Sequence, residues 1–199
     1  MTQQTHLTRE DLWSLEQYSV KRPEFRKEVM AYKKNRQVTV ADSARFCFED
    51  LTTIRYQIQE ILRVEKVFEA ADIQEEIDSY NPLIPDGKNL KATFMLEYDD
   101  IDERKVMLQK LKGVERQVWM QVNNLPKIVP ISDEDLEREN EEKTSSVHFM
   151  RFEFSDEAIS ALRAGGTLIF GIDSEFLQPN VVQIEDPVKS ALAADFASV

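Results

Sequence analysis

Two ionisable side chains lie where the sequence pattern predicts apolar ones, and they are the strongest candidates for chemistry. Glu65 falls on the side of a helical wheel that carries Ile54 and Ile58. His148 alternates in phase with Met150 along a predicted strand. A titratable group directed at a core has to be paired, neutral or functional, so both residues require a partner or a task.

Glu65 and His148 predict either an acid–base pair or two separate structural contacts. If the helix packs on the strand, the two side chains can meet and relay protons, which makes them candidate catalytic residues. With Glu60 and Glu97 as further carboxylates, the same pair can hold a metal ion. In the structural alternative, Glu65 forms a buried ion pair and His148 hydrogen-bonds a backbone carbonyl.

Arg55, Tyr56 and Arg63 form a candidate ligand-binding or anion-binding set on the helix that carries Glu65. The two arginines lie eight residues apart and can act as an anion clamp. The alternative is that they pair with nearby acids, as Arg63 can with Glu60 one helical turn earlier.

The sequence contains none of the common motifs for nucleotides, hydrolases or metals. It lacks G-x-G-x-x-G, a P-loop, G-x-S-x-G, H-E-x-x-H and C-x-x-C. The single cysteine, Cys47, excludes an internal disulfide and a cysteine-zinc site within one chain, and no iron–sulfur motif is present. Arg45 can lower the pKa of this thiol, although an inert thiol is the simpler expectation. These residues identify no cofactor.

The residues from Asp50 to Tyr80 form the longest helical pattern, and the other elements are organised around it. Its apolar stripe restarts after Ala71, which predicts a bend near Ala71–Asp72. We predict a single α+β domain over residues 1–199, in which a mostly antiparallel sheet of about six strands packs against the long helix. Alternating or continuously apolar segments predict strands at 37–40, 45–49, 91–98, 117–122, 127–131, 146–154, 167–172 and 181–184.

Two charge runs of opposite sign interrupt the average composition. Residues 21–36 carry seven basic and two acidic side chains, on a helix that Pro23 is expected to begin. Residues 132–142 carry seven acidic side chains and one basic, and we expect an exposed helix or an ordered acidic connector there. Both runs are solvated surfaces in the simplest interpretation. The alternative is that they are docking surfaces for each other, for a second copy of the chain or for another protein.

The overall charge limits the classes of partner. The chain carries 25 basic and 37 acidic side chains, a net charge of −12 that disfavours binding to nucleic acid or to an anionic membrane. Its first residues lack the apolar core of a signal peptide, and no apolar run approaches the ~18 residues of a membrane span. A cytoplasmic protein is therefore expected.

Five segments of the chain are distinctive: IRYQIQEILRVEKVFE, IQEEIDSYNPLIPDG, KATFMLEY, GVERQVWMQV and DEDLERENEEKTSSVHFMRFEF. Together they resemble an uncharacterised bacterial family of about this length, the domain of unknown function DUF3501. The resemblance extends from Leu7 to Phe196. No activity is established for that family, and its genes commonly lie beside rubrerythrin and an iron–sulfur protein that resembles heterodisulfide reductase. The resemblance therefore implies a role near peroxide or thiol redox chemistry.

Three functional hypotheses follow. The first is a cytoplasmic accessory or binding protein that acts with redox partners and makes contact through the two charge runs. The second is a small enzyme or metal-binding protein that uses the core-facing Glu65 and His148. The third is a structural subunit of a homo-oligomer. Whether the chain is an enzyme is left open at this level.

Overall fold

The computed structural model describes residues 4–136, 138–140 and 142–197, which contain six α-helices and eight β-strands. The helices are α1 (Leu15–Lys33), α2 (Leu51–Glu65), α3 (Ala70–Tyr80), α4 (Ile101–Lys110), α5 (Asp156–Arg163) and α6 (Val188–Ala193). The strands are β1 (Gln37–Val40), β2 (Ala44–Glu49), β3 (Asn89–Leu96), β4 (Val118–Val122), β5 (Ile131–Ser132), β6 (Val147–Glu153), β7 (Leu168–Ile172) and β8 (Val181–Ile184). No described helix combines the length and the apolarity that crossing a bilayer requires.

All eight strands pair antiparallel, in two separate sheets. The larger sheet has the order β1-β2-β3-β6-β5, and the smaller has the order β4-β7-β8. The predicted α+β class with antiparallel pairing is confirmed, while the strands divide between two sheets rather than forming one. The predicted strand at 127–131 is wrong in its bounds, because β5 begins only at Ile131 and Ile128 forms an isolated bridge with Met120. Pro130, which has no N–H, directly precedes β5 at the edge of the larger sheet.

The two sheets pack against each other around aromatic side chains. Phe170 on β7 contacts Phe46 and Phe48 on β2 and Phe152 on β6, with ring centroids 4.4, 6.1 and 5.7 Å apart. The side chains that alternate toward the other sheet are buried, as the two-residue period of a strand requires, and some residues of the opposite face, such as Cys47, are buried as well.

Two helices, α2 and α3, replace the single long helical pattern. Asp50 caps the start of α2, where its Oδ1 accepts a hydrogen bond from the N–H of Thr53 at 2.9 Å. Lys66 then adopts a left-handed backbone conformation (φ 56°) and ends the helix. The bend predicted near Ala71–Asp72 is therefore wrong in position, because the apolar stripe does not reveal the backbone conformation of Lys66.

The helices build a second, smaller core beside the sheets. Ile54, Ile58 and Leu62 of α2 pack with Ile77 of α3 and with Leu7 from the N-terminal segment. This spacing of four residues along α2 is the helical stripe that the sequence predicts.

The first helix begins earlier than predicted. α1 starts at Leu15 and runs through Pro23, whose missing N–H leaves one helical hydrogen bond unmade. The prediction that Pro23 begins the helix is wrong because the turn before it is held by tertiary contacts. In that turn, Tyr18 and Arg22 both bond to Glu60 of α2.

The acidic run is an irregular, ordered connector in its described residues, and the alternative of an exposed helix is wrong. It leaves β5, passes through Asp133, and forms an isolated bridge between Glu139 and Thr144. Residues 137 and 141 of the run lie outside the described residues. Several of its carboxylates bind arginines, including Asp133 with Arg138 and Glu134 with Arg151. The pair of Glu134 with Arg151 fixes the connector along β6, whereas the pair of Asp133 with Arg138 lies within the connector.

Candidate functional site

The residues predicted to form a Glu–His pair lie in different surroundings. Glu65 is the last residue of α2 and is exposed, whereas His148 on β6 is fully buried. The prediction of a core-facing Glu65 is wrong because α2 ends there, and the described neighbours that bury Leu62 do not extend over Glu65. Val64, which is 67% exposed, is uncovered in the same way.

His148 uses both of its ring nitrogens inside the core. Nδ1 lies 2.6 Å from Oδ2 of Asp133, and Nε2 lies 2.9 Å from Oγ1 of Thr144 and 3.1 Å from the backbone oxygen of Ser145. The ring also stacks on Phe94, with centroids 5.9 Å apart. This geometry agrees with the structural alternative for His148 and ties the acidic connector to β6.

The four predicted metal ligands are not brought together. Glu60 accepts hydrogen bonds from Tyr18 at 2.5 Å and from Arg22 at 2.7 and 2.8 Å. Glu97 lies 2.8 Å from Arg45 in a partly exposed ion pair. Within the part of the chain that the structure describes, no three His, Cys, Asp or Glu side chains are placed to hold one metal ion. The predicted metal site is therefore not supported by the geometry.

The ion pair at Glu60 has a consequence for the pH dependence of stability. Its hydrogen bonds from Arg22 hold the pKa of Glu60 below its usual value. Because the folded-state pKa lies below that of the unfolded chain, the pair stabilises the fold above the unfolded pKa, and this contribution is lost as the pH falls through the folded one. The cluster therefore fixes α1 on α2 at neutral pH.

The predicted anion clamp is also not assembled. The guanidinium of Arg55 lies 4.2 Å from the centroid of the Trp13 ring, and burial lowers the pKa of this arginine. Tyr56 is buried against Phe25, with ring centroids 5.9 Å apart, and Arg63 is exposed. The first two side chains contribute to the packing between α1 and α2.

Cys47 is buried on β2. Burial raises the pKa of its thiol, so the alternative of a pKa lowered by Arg45 is wrong. A buried thiol with a raised pKa is protonated at neutral pH and is a poor nucleophile.

A cavity of about 340 Å³ lies on the face of the larger sheet that points away from the smaller one. The end of α3 with the turn that follows it, β3, β6 and the acidic connector form its walls. Tyr80, Pro82, Leu83 and Phe149 contribute apolar surface to the walls. Pockets for small ligands typically enclose about 300–1,000 Å³ and are mostly apolar with a few polar groups. We call this the Lys91 cavity, after the lysine in its wall.

Two arginines of the Lys91 cavity are paired with acids of the connector. Arg151 binds Glu134 through two parallel hydrogen bonds, 2.8 Å from Nε and 2.7 Å from Nη2. Arg138 lies 4.5 Å from the centroid of the Phe149 ring and donates to Asp135. These pairs largely cancel their own charges.

Lys91 is the third cation of the cavity, and it takes part in neither of these ion pairs. It is half-buried, and its ammonium donates to the backbone oxygen of Pro82 at 2.6 Å. In the described residues, no ion pair joins it to a carboxylate. Burial lowers the pKa of Lys91, because the charged form loses hydration. An ammonium has three N–H donors, so donors remain for a ligand.

Sequence reasoning missed Lys91, although part of the signal was present. The alternation of β3 places Leu90, Ala92 and Phe94 in the core and Lys91 on the opposite face. A lysine on the polar face of a strand is normally solvated. Only the fold places the end of α3 over this face and encloses the side chain.

The comparisons with known proteins agree with the resemblance. A family model described as "Protein of unknown function (DUF3501)" matches residues 6–196. The crystal structure, at 1.90 Å resolution, of a novel protein of unknown function from Burkholderia pseudomallei is similar, with a TM-score of 0.90 and 43% sequence identity. That match covers 99% of this chain and 100% of the other. No curated protein matches the chain. The fold and the resemblance are therefore confirmed, while the activity has to be argued from the site.

Proposed function

The chain belongs to the DUF3501 family, a family of unknown function, and we propose that it binds a small molecule with an apolar body and one carboxylate group. The single observation that carries this proposal is the half-buried ammonium of Lys91 in the wall of a partly apolar cavity. A half-buried cation without a carboxylate partner is costly, and an anionic ligand would offset that cost.

The charges of the Lys91 cavity favour an anion. Its described lining residues include three cations, Lys91, Arg138 and Arg151, and two acids, Glu134 and Asp135. Arg138 is held by Asp133 and Asp135, and Arg151 by Glu134 and Glu153. Lys91 is therefore the cation of the described lining that no carboxylate binds directly. A carboxylate can accept hydrogen bonds from its remaining N–H groups, and such charge-assisted bonds are the stronger ones.

The apolar walls favour an organic acid over a small inorganic anion. Tyr80, Leu83 and Phe149 face the same space as the ammonium. Burying apolar ligand surface against them contributes roughly 25 cal/mol per Å². An inorganic anion would leave these walls in contact with water.

The cavity favours binding over catalysis. The hydroxyl of Ser79, which lines it, donates to the backbone oxygen of Glu75 at 2.9 Å and has no base beside it. His148, the only histidine of β6, faces the core on the other side of that strand. No nucleophile paired with a general base is therefore found among the described lining residues.

Replacing Lys91 with methionine is expected to weaken octanoate binding at least tenfold at pH 7. The variant keeps most of the length of the side chain and removes a charge-assisted hydrogen bond worth roughly 1.5–3 kcal/mol. Isothermal titration with octanoate, and with octanol as the uncharged probe, measures the effect. Octanoate affinity should also fall as the pH rises through the lowered pKa of Lys91, because the deprotonated amine carries no charge.

Lys88→Met is the matched control for this experiment, because Lys88 is an exposed lysine just before the same strand and pairs with Asp156. It should bind octanoate like the unmodified protein. Equal affinity for octanoate and octanol, or an unchanged affinity in Lys91→Met, would refute the carboxylate site. Thermal unfolding of each variant establishes that the fold is retained.

The second candidate function is that of an accessory protein that docks an acidic partner on α1. The observation that favours it is the surface of this helix and of the residue that follows it, where Arg26, Lys27 and Lys34 are exposed and make no ion pair with a described residue. Val20, which is 80% exposed, adds apolar surface. The gene neighbours implied by the resemblance, rubrerythrin and an iron–sulfur oxidoreductase, are the partners that we propose to test.

Reversing Arg26, Lys27 and Lys34 to glutamate is expected to weaken capture of purified rubrerythrin more than tenfold at low salt. The control reverses Lys88, Lys105 and Lys143, which produces the same change in net charge elsewhere. Arg36 is left intact because it is buried. Equal losses in both triple variants would indicate a diffuse charge effect and refute docking on α1, and so would an absence of capture by the unmodified protein.

A further inference from the structure

Both strand neighbours of Lys91 in the larger sheet are charged residues, and neither forms an ion pair with it. The register places Glu49 of β2 opposite Lys91 on one side and Arg151 of β6 opposite it on the other. The two carboxylate oxygens of Glu49 accept hydrogen bonds from the hydroxyls of Thr53 at 2.6 Å and Thr93 at 2.8 Å. The acid that faces Lys91 across the sheet is therefore engaged by other residues.

The neighbour on β6 disfavours the charged form of Lys91. Side chains of like charge that lie directly opposite each other in an antiparallel pair destabilise the pair. Arg151 keeps its proton, because its hydrogen bonds with Glu134 and Glu153 hold its pKa above the usual value. Loss of a proton from Lys91 is therefore the change that relieves this repulsion.

The walls of the Lys91 cavity act in the same direction. The lysine is half-buried in a wall to which Tyr80, Leu83 and Phe149 contribute apolar surface. Burial is the largest cause of the lowered pKa of Lys91, and the charge of Arg151 also lowers it. Three nearby acids oppose this shift: Asp86, Glu134 and Glu153. At a given pH, a larger fraction of Lys91 is therefore uncharged than of an unperturbed lysine.

An uncharged lysine amine in a cavity is a nucleophile toward carbonyl groups. Lysines that form imines are activated by an apolar pocket or by an adjacent cation, and both conditions hold at Lys91. Its nitrogen lies 2.6 Å from the backbone oxygen of Pro82, which also lines the cavity. One N–H is sufficient for this hydrogen bond, so the lone pair of the neutral amine is left for a ligand.

We propose that Lys91 captures an apolar aldehyde in the Lys91 cavity as an imine. The amine nitrogen attacks the carbonyl carbon and forms a C–N bond. Both protons of the amine leave with the carbonyl oxygen as water, so a C=N bond remains and neither an oxidant nor a reductant is consumed. When the imine is protonated it keeps one N–H, which can donate to the oxygen of Pro82 as the lysine does.

This inference rests on the proposed function in one respect, which is that the Lys91 cavity admits apolar ligands. The two ligand classes require opposite protonation states, because the ammonium binds a carboxylate whereas the neutral amine attacks an aldehyde. A neutral amine needs no partner base. The lack of a nucleophile–base pair among the described lining residues therefore does not oppose this capture, which is reversible binding rather than turnover.

Reductive trapping with octanal tests the imine. The intact chain is treated at pH 7 with limiting octanal and sodium cyanoborohydride, which reduces an imine to an N-octyl-lysine, and peptide mass spectrometry locates the label. Lys91 should be labelled at least tenfold faster than Lys88, an exposed lysine that pairs with Asp156. Lys91→Arg, which keeps the positive charge and has no nucleophilic amine, should lose the fast label and leave the labelling of Lys88 unchanged.

Two results would overturn the inference. Equal labelling of Lys91 and Lys88 would mean that the cavity does not activate the amine. An equal preference for Lys91 with acetaldehyde, which lacks the apolar chain, would mean that the cavity walls do not select the aldehyde.

Octanoate separates this inference from the proposed function. Saturating octanoate should slow the labelling of Lys91 at least tenfold, because it occupies the same cavity. Selective labelling that octanoate neither slows nor competes with would refute the carboxylate site and support the imine. Octanoate binding without selective labelling would refute the imine and support the carboxylate site.

Discussion

Replacing Arg36 with methionine is expected to lower the free energy of unfolding by about 3–5 kcal/mol, which is typical when one partner of a buried ion pair is removed. The Arg36 side chain is 2% exposed, and it binds Asp195 through two nitrogens, with Nη1 3.1 Å from Oδ1. It also donates to the backbone oxygens of Phe48 at 3.0 Å and Glu49 at 3.2 Å. The substitution leaves these oxygens without their donor.

Urea unfolding followed by circular dichroism measures this loss. The control is Lys34→Met, at an exposed position two residues earlier, which should change the free energy of unfolding by less than about 0.5 kcal/mol. The double variant Arg36→Met/Asp195→Asn should recover part of the loss, because the buried carboxylate is then neutral. A loss below about 1 kcal/mol in Arg36→Met would mean that this cluster does not hold the end of the chain to β2.

The ion pair between Arg36 and Asp195 also predicts how the stability of the Arg36→Met variant depends on pH. Burial raises the pKa of Asp195, while Arg36 opposes that rise. Without the guanidinium, the folded-state pKa of Asp195 should rise further above that of the unfolded chain. The folded state then binds the proton more tightly, so the stability of Arg36→Met should fall as the pH rises through this interval.

Replacing Phe170 with alanine is expected to lower the free energy of unfolding by about 3–5 kcal/mol, through lost burial and a cavity between the sheets. Phe170 is fully buried and contacts Phe46, Phe48 and Phe152 of the larger sheet. A side chain smaller than phenylalanine cannot reach all three rings from this position on β7. The two sheets therefore cannot close the space completely.

The matched control is Phe176→Ala, since Phe176 is 44% exposed and should cost about 1 kcal/mol or less. Phe170→Leu should fall between the two, because leucine fills much of the space. Urea unfolding of the three variants gives the order of their losses in the free energy of unfolding. Equal losses for Phe170→Ala and Phe176→Ala would contradict the assignment of Phe170 as the centre of the contact between the sheets.

Local pattern located most strands and helices and predicted the direction of most strand residues, but it missed the break at Lys66, the start of α1 and the bounds of β5. The two-residue period correctly directs His148 and the phenylalanines of β2 into the core, and the helical stripe of α2 correctly identifies Ile54 and Ile58. These signals are local, since they depend only on side chains two to four positions apart. The α+β class follows from them.

The local sequence pattern could not identify the partners of the buried polar side chains. His148 binds Asp133, 15 residues away, and Arg36 binds Asp195, 159 residues away. Glu65 satisfies the helical period as well as Ile54 does, yet it is exposed because no described element covers it at the end of α2. Periodicity predicts the direction in which a side chain points, but it does not predict which residues lie in that direction.

What the sequence by itself determined about this protein is therefore its α+β class, the positions of most strands and helices, its family and the core-facing position of His148. The tertiary structure decided that the predicted Glu65–His148 pair is not formed and that Lys91 lines a cavity. The physical reason is that a cavity requires walls from segments far apart in the chain. In the Lys91 cavity, the end of α3 and the acidic connector meet over β3 and β6 only after folding.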